Sequence, residues 1–204
     1  VARVGRHTFP VRVTKTTRAF LDELGDALGT ELDPEDMEGT LARLGGIAKL
    51  IGATLSNTAN PTQLGAGYKV NVIPGEATAH VDGRFLPGHE EEFLADLDRI
   101  LGPNVRREDV HADKAVETTF DGALVGAMQS ALLAEDPTAK AIPYMLSGGT
   151  DAKSFDDLGI RGFGFVPLKL PPELDFAGMF HGVDERVPVD GLQFGVRVLD
   201  RFID

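Results

Sequence analysis

The stretch that most constrains the fold is YKVNVIPGEATAHVDGRFLPG, residues 68–88. It predicts two strands joined at the turn dipeptide Pro74-Gly75, with Pro87-Gly88 ending the second. In the second strand small and apolar positions alternate with polar ones, which is the period of a β-strand. The first set is Ala77, Ala79, Val81 and Phe85; the second is Glu76, Thr78, His80, Asp82 and Arg84.

The segments on either side of this stretch add helices and further strands. Residues 51–61 read as a short strand ending in a loop, and residues 104–112 as another strand. Residues 89–101 predict an amphipathic helix with Phe93, Leu94, Leu97 and Ile100 inward. Upstream, residues 17–28 predict a helix with Phe20, Leu21, Leu24 and Leu28 on one face. Asp33 and Pro34 predict the start of a second helix. Its apolar positions are Met37, Leu41, Leu44, Ile47 and Ile51, with Gly45 and Gly46 inside it. The order α, β, β, α, β predicts a two-layer α+β unit with its helices on one face of a sheet.

The second half of the chain has a different pattern, which begins near residues 115–121. A helix is predicted over residues 122–134, with Leu124, Met128, Ala131 and Leu132 as its apolar positions. Strands are predicted at residues 142–146 and 159–168, with a helix opened by SGGTDAKSF between them. A last helix from Asp190 should bury Leu192, Val196, Leu199 and either Phe202 or Ile203. This alternation predicts an α/β unit with a mostly parallel sheet, and we expect domains at residues 1–114 and 115–204.

Composition excludes several classes of function. The chain has 204 residues, begins with Val1 and carries a formal net charge of −12, which argues against nucleic acid as a partner. It has no cysteine, so disulfides and thiolate chemistry are excluded and any metal must use His, Asp or Glu. We expect no membrane partner, because no apolar run approaches the roughly 18 residues of a membrane helix. No signal-peptide pattern is visible at the start, and a cytoplasmic location is the expectation.

The loop SGGTD, residues 147–151, joins a predicted strand to a predicted helix, with Thr150 or Asp151 as the cap. Free N–H groups at such a helix start can bind an anion, and ligands bind at the carboxyl ends of strands in such sheets. The spacing is not that of a P-loop, since Lys153 is not in the required place. A tight, well-capped turn explains the residues equally well.

The histidines do not form a metal site by spacing. His181 lies in HGVDERVP, but a zinc site needs three or four ligands, and Asp184 and Glu185 are too near in sequence to complete one. His89 and Glu92 could chelate at i, i+3, yet acids in a first helical turn are explained by the helix dipole. His7, in HTFP, is expected in a surface loop.

Two residues on the polar strand face raise a further alternative. His80 and Arg84 are explained by cross-strand pairing. Arg84 is also a candidate for carboxylate recognition, because its guanidinium fork matches such groups.

Four ordered segments together carry a resemblance: NVIPGEATAHVDGRFLPG, SGGTDAKSF, GFGFVPL and HGVDERVP. From about residue 50 onward the chain resembles the zinc peptidase and deacylase family that includes aminoacylase, acetylornithine deacetylase, succinyl-diaminopimelate desuccinylase and glutamate carboxypeptidase. The resemblance implies an α/β catalytic domain interrupted by an α+β lid that dimerises. Residues 1–114 then correspond to an N-terminally truncated lid, and residues 115–204 to the end of the catalytic domain.

The resemblance also assigns roles to single residues. His181 matches the family's final zinc-ligand histidine in a site that holds two zinc ions. Asn71 and Arg84 match lid residues that meet the substrate, often at its carboxylate. The loop that contacts the substrate backbone matches Gly148, Gly149 and Thr150. Lys153 stands where many members have arginine for the substrate carboxylate, which keeps the charge but loses the bidentate fork.

The departures from the family pattern are as informative as the matches. The family's other metal ligands and its glutamate base have no counterpart in this chain. We therefore expect a fragment of a metallohydrolase that cleaves an amide bond next to a carboxylate, in a small peptide or an N-acyl amino acid. The chain alone should be inactive, and it should form a homodimer through the lid. The alternative is a non-catalytic dimerisation or anion-binding module derived from the same fold.

Overall fold

The computed structural model describes residues 1–44 and 48–204. Within these ranges both strands lie in the first half of the chain. The predicted helical positions Gly45, Gly46 and Ile47 lie outside the described residues. In chain order the elements are α1 (Ala2–Arg6), α2 (Lys15–Leu28), α3 (Met37–Leu44), α4 (Ala48–Gly52), β1 (Thr58–Ala66), β2 (Ala77–Arg84), α5 (Glu90–Leu101), α6 (Ala123–Glu135), α7 (Ala152–Asp157), a 3-10 turn (Ala177–Met179) and α8 (Val189–Ile203).

The strands β1 and β2 form an antiparallel hairpin, in which Thr58 pairs with Arg84 at one end and Ala66 with Ala77 at the other. The register shifts between Pro61 and Gln63, as expected where proline cannot donate to the ladder. The predicted β2 strand is confirmed. The predicted strand before Pro74-Gly75 is wrong, because the pairing strand is β1 and residues 67–76 form the connection.

Two local features explain why the chain leaves the ladder after β1. Gly67 has a φ of 72°, in the left-handed region, which glycine adopts readily. The N–H of Val72 then donates to the carbonyl of Lys69 at 3.2 Å, which closes a turn. The strand predicted over residues 51–61 is also displaced, since α4 runs to Gly52 and β1 starts at Thr58.

One core cluster joins α1, β1 and α5. It contains Val4, Phe9, Ala59, Phe93, Leu97 and Ile100, all buried. The predicted inward face of α5 is confirmed, with Leu94 packed against the cluster. Arg3 donates from Nη2 to the carbonyl of Leu101 at 2.6 Å, which satisfies an orphan acceptor at the end of α5. This packing holds the hairpin against α5.

A second cluster joins α2 to α3 and α4 around Leu21, which is fully buried. The predicted α2 is confirmed, although Leu28 at its end is exposed. The predicted start of the next helix at Asp33 is wrong. Asp33 instead accepts from the N–H of Glu35 at 2.8 Å, and Asp36 accepts from the N–H of Gly39 at 3.0 Å at the start of α3. Both aspartates can accept a local backbone bond, so spacing alone did not choose between them.

The second half consists of α6 packed against α8, with extended segments between them. Phe194 and Val198 of α8 are buried with Ala131 of α6. The carboxylate of Glu135 accepts from the Nε atoms of Arg197 and Arg201 at 2.7 and 2.6 Å. These bonds lower the pKa of Glu135, with Arg197 the larger cause.

The helix α8 turns a different face inward from the one predicted. Four of the predicted core positions point outward: Leu192, Val196, Leu199 and Ile203 are 55%, 59%, 37% and 80% exposed. Phe202 is half-buried and packs against the cluster. The inward face carries Gly191 and Gly195, and a Cβ on these would lie 2.9 Å from the carbonyl oxygen of Lys169 and 2.5 Å from that of Pro167. The helix therefore packs against the backbone of residues 167–169.

The predicted strands at residues 104–112, 142–146 and 159–168 do not form ladders. Over the described ranges the β-structure is the two-stranded hairpin and an isolated bridge between Val11 and Ser56. A strand needs a hydrogen-bonded neighbour, and none of these segments pairs with another. The mixed α/β class is confirmed in this coarse sense, whereas the predicted mostly parallel sheet is absent from the part of the chain described. None of the described helices is long and apolar enough to cross a membrane.

Substitution of Gly195 in α8, with Gly126 in α6 as the control, tests this packing. We expect Gly195→Ala to destabilise the chain, because roughly 1–3 kcal/mol of overpacking exceeds the gain in helix propensity. Gly126→Ala on α6 has nothing within 4 Å of the new Cβ and should stabilise by about 0.5–1 kcal/mol. Urea unfolding of both variants measures the two signs. A stable Gly195→Ala variant would show that α8 does not rest on residues 167–169.

Candidate functional site

Arg84, at the end of β2, is held at two points. Its Nε donates to Asp82 Oδ2 at 2.9 Å, and its Nη1 donates to the carbonyl oxygen of Ser147 at 3.0 Å. Asp82 lies two residues before Arg84 on the same strand, whereas Ser147 lies 63 residues after it, directly before Gly148. The structure thus brings the predicted carboxylate-binding arginine to the predicted substrate loop. Arg84 remains half-exposed, so its guanidinium is accessible to a ligand.

The loop itself is short and open. Thr150 Oγ1 accepts from the N–H of Ala152 at 3.3 Å, so Thr150 rather than Asp151 supplies the side-chain bond at the start of α7. Nothing lies within 4 Å of the position a Cβ would take on Gly149. The backbone of the predicted substrate loop is therefore exposed to a ligand.

Lys153 projects from the first turn of α7 towards residues 111–114. Its Nζ lies 3.6 Å from Asp113 Oδ2, which also lies 3.2 Å from His111 Nε2. The neighbouring Lys114 Nζ contacts Asp156 at 2.5 Å and Asp157 at 2.6 Å. Hydrogen bonds to Asp156 and then Asp157 raise the pKa of Lys114. The 111–114 segment is therefore bound to α7 by opposite charges.

The structure does not bring Asn71 to these groups. Asn71 lies in the exposed connection 67–76, within the turn closed by Val72. Arg84 lies at the other end of the hairpin, and Ala77 to Arg84 alone spans roughly 20 Å at about 3.3 Å per residue. Within one chain, Asn71 and Arg84 thus occupy opposite ends of the hairpin.

His181 occupies an unusual backbone position. Phe180 has φ −56° and ψ 129°, His181 has φ 60°, and the N–H of Gly182 donates to the carbonyl of Met179 at 2.9 Å. These values describe a type II turn with His181 at the position that normally takes glycine. A histidine there costs conformational energy, and such outliers are often kept at functional sites.

No group of three or more potential metal-ligating side chains converges anywhere in residues 1–44 and 48–204. His181 is exposed, as are Asp184 and Glu185. These described residues therefore do not make a complete zinc site.

The remaining histidines have other partners. His89 Nδ1 lies 2.8 Å from Glu92 Oε2, but Glu92 is also bound by Arg12 Nη2 at 2.6 Å. These contacts, with Arg12 the larger cause, lower the pKa of Glu92. The prediction that His7 lies in a surface loop is wrong, because its Nε2 is buried and its ring packs edge-on against Phe9, with the ring centroids 4.6 Å apart. It packs there because Phe9 belongs to the core beneath α1.

The sequence interpretation missed three groups that hold the site: Asp82, Asp113 and the Ser147 carbonyl. The Asp82 contact could have been predicted, since residues two apart on a strand share a face and Asp82 precedes Arg84 by two. The contacts of Asp113 and Ser147 could not have been predicted from spacing, because their partners are distant in sequence.

Residues 22–108 match the sequence profile of the peptidase dimerisation domain. This segment is therefore similar to the M20 peptidase dimerisation domains. It includes the hairpin, α5 and most of the α2–α4 cluster. Arg84, Asp82 and Asn71 thus lie within the matched residues, whereas the SGGT loop and His181 lie beyond them.

Curated relatives extend beyond this domain. The chain is 26% identical to a succinyl-diaminopimelate desuccinylase of Maricaulis maris over 98% of its length and 47% of the relative. It is 29% identical to the human N-fatty-acyl-amino acid synthase/hydrolase PM20D1, over 76% of the chain and 32% of the relative. A protein of Dictyostelium discoideum named Probable carboxypeptidase S-like 2 is 27% identical over 63% of the chain and 25% of the relative.

The chain therefore spans about half or less of the length of these relatives. Their names are those of peptidases and hydrolases, which relates this chain to an enzymatic family. No solved structure matches the chain.

Proposed function

We propose that this chain supplies the dimerising lid and the substrate-side loops of a zinc-dependent metallohydrolase. The enzyme would cleave an amide bond beside a carboxylate, in a small peptide or an N-acyl amino acid. The observation that carries the proposal is the bond from Arg84 Nη1 to the Ser147 carbonyl at 3.0 Å. It joins a cation of the M20 dimerisation domain to the glycine loop, where a substrate can meet both.

The residues of this chain would bind and orient the substrate. Arg84 offers a planar fork for a carboxylate, and Lys153 offers a second positive charge on the other side of the loop. Gly148, Gly149 and Thr150 would contact the substrate backbone between them. Residues 1–114 would form the lid, through which the protein forms a homodimer, and residues 115–204 would belong to the catalytic domain.

Zinc enters the proposal through one residue of this chain. His181 would donate one ligand, and its strained position in the type II turn supports a role beyond folding. Since the described residues group no three donors, the other ligands would have to come from residues beyond this chain. We therefore expect no hydrolysis by the 204-residue chain alone.

Arg84 provides the direct test of substrate binding. In the longer enzyme we expect Arg84→Lys to raise KM for an N-acetyl amino acid about 10- to 100-fold, because hydrogen bonds to charged groups contribute about 1.5–3 kcal/mol. His80→Gln, on the same polar strand face, is the matched control. Steady-state kinetics of both variants, in a homodimer verified by native mass spectrometry, measures the effect. An unchanged KM in Arg84→Lys would remove the carboxylate role.

The absence of a three-donor group among the described residues favours a second candidate function. In that case the chain would be a non-catalytic dimerisation or anion-binding module. Native mass spectrometry of the purified chain, followed by an N-acetyl amino acid assay with added zinc, separates the two. Turnover by the pure chain would contradict both proposals, whereas a partner polypeptide that brings zinc and activity would favour the enzyme.

A further inference from the structure

Each cation of the proposed carboxylate site already faces a carboxylate of this chain. Arg84 pairs with Asp82 at 2.9 Å, and Lys153 pairs with Asp113 at 3.6 Å. Asp82 shares a strand with Arg84, so that pair is local. Asp113 instead comes from a segment 40 positions away from Lys153. The second pair therefore depends on how the 111–114 segment binds to α7.

The 111–114 segment and α7 carry opposite charges at the positions where they face each other. On α7, Lys153, Asp156 and Asp157 lie at i, i+3 and i+4, which places them on one face of the helix. Opposite them, Asp113 meets Lys153 and Lys114 meets both aspartates, at 2.5 and 2.6 Å. The short Lys114 contacts fix the segment, and its neighbour Asp113 is thereby held at Lys153.

The Asp113 pair is weaker than those that hold it in place. Its 3.6 Å separation is longer than a charge-assisted hydrogen bond of about 2.7–2.9 Å. Lys153 presents a compact charge rather than a fork, so one carboxylate can replace another without a fixed bidentate geometry. His111 Nε2, 3.2 Å from the same Asp113 oxygen, can donate a hydrogen bond to the aspartate when Lys153 turns away.

We propose that Asp113 is an internal competitor for Lys153, which a substrate carboxylate must displace. This inference rests on the proposed function, in which Lys153 meets that carboxylate. Asp113 thereby becomes a specificity-determining residue, because it discriminates against ligands that lack a carboxylate able to replace it. Neutral analogues gain nothing from Lys153, since they cannot exchange with the resident aspartate.

The experiment titrates N-acetyl-L-alanine into the 15N-labelled 204-residue chain and follows the amide signals of Gly148, Gly149 and Thr150. We expect Asp113→Asn to tighten binding about two- to fivefold, the size of an exposed ion pair. Asp113→Glu should retain the original affinity. Glu108→Gln is the matched control, because it removes the same charge from an exposed pair with Arg106.

Three outcomes decide between the possibilities. Tighter binding in Asp113→Asn alone, abolished when Lys153→Met is added, supports the competitor. The competitor role is overturned if Glu108→Gln tightens binding as much as Asp113→Asn does. It is also overturned if Asp113→Asn does not tighten binding while the original chain binds. Either result leaves the carboxylate site intact. An absence of N-acetyl-L-alanine binding in all variants overturns the competitor together with the carboxylate role in the proposed function.

Discussion

Phe93→Ala is expected to lower the free energy of unfolding by about 3–5 kcal/mol, as for other buried aromatic truncations. The Phe93 side chain is only 3% exposed. Its ring centroid lies 5.3 Å from that of Phe9 and 5.8 Å from that of Phe85. Because these rings belong to different segments, the truncation opens a cavity where α5, the hairpin end and the N-terminal segment meet.

The hairpin adds a second reason for the size of this effect. A Cβ on Gly83 of β2 would lie 2.8 Å from Phe93 Cζ, so the β2 backbone rests directly on the ring. Loss of the ring removes the support beneath the strand that ends in Arg84. We therefore expect the Arg84 side chain to lose its fixed position as well.

Urea unfolding monitored by circular dichroism measures the loss, with Phe155→Ala as the matched control. Phe155 is 47% exposed, so its truncation should change stability by no more than about 0.5 kcal/mol, as for other surface substitutions. Equal losses in the two variants would contradict the described core. A loss confined to Phe93→Ala confirms that α5 supports the hairpin.

Amphipathic periodicity predicted the helices well, because burial of one face is a local property of the sequence. Residues 17–28 and 89–101 fold as α2 and α5, and apart from Leu28 their expected inward residues pack in the core. The face of α8 could not be predicted in this way, since it carries apolar residues on two sides. Gly191 and Gly195 decide the orientation by allowing close backbone contact, and hydrophobic periodicity gives glycines no weight.

Strands were harder to predict, because a strand depends on a partner that the sequence does not identify. β2 alternates clearly and is confirmed, yet its partner β1 contains Pro61, Gly65 and polar residues that hide the period. Residues 159–168 have the composition of a buried strand but no ladder neighbour among the described residues. Composition therefore predicted strand propensity without predicting pairing.

The candidate site was only partly predictable for the same reason. Arg84 and the SGGT loop were both identified, but their contact spans 63 positions and has no spacing signature. Asp113 was missed because a long-range ion pair leaves no local pattern. Ordered motifs identified the participants, and the three-dimensional structure supplied the partners that neutralise them.

His181→Gly is expected to stabilise the chain and to inactivate the longer enzyme that is proposed above. With φ at 60°, histidine at the third position of the type II turn pays a steric cost that glycine does not. Removing the Cβ should gain about 0.5–1 kcal/mol, part of which is lost to the greater freedom of glycine in the unfolded chain. In the zinc-dependent enzyme proposed above, the same change removes one metal ligand. Activity should fall at least about 100-fold, since even outer-shell partners of a metal cost 10- to 100-fold.

His181→Ala separates the two effects, because alanine removes the imidazole and keeps the steric cost of the turn. Both variants should lose zinc and activity in the longer enzyme, while only the glycine variant gains stability in urea unfolding. If zinc content and activity stay unchanged in both variants, His181 is not a ligand. That result would favour the non-catalytic module as the function of the chain. If neither variant is more stable and both are inactive, the turn is not strained and the metal role stands alone. Opposite signs for stability and activity at one residue are what a position selected for function, rather than folding, would show.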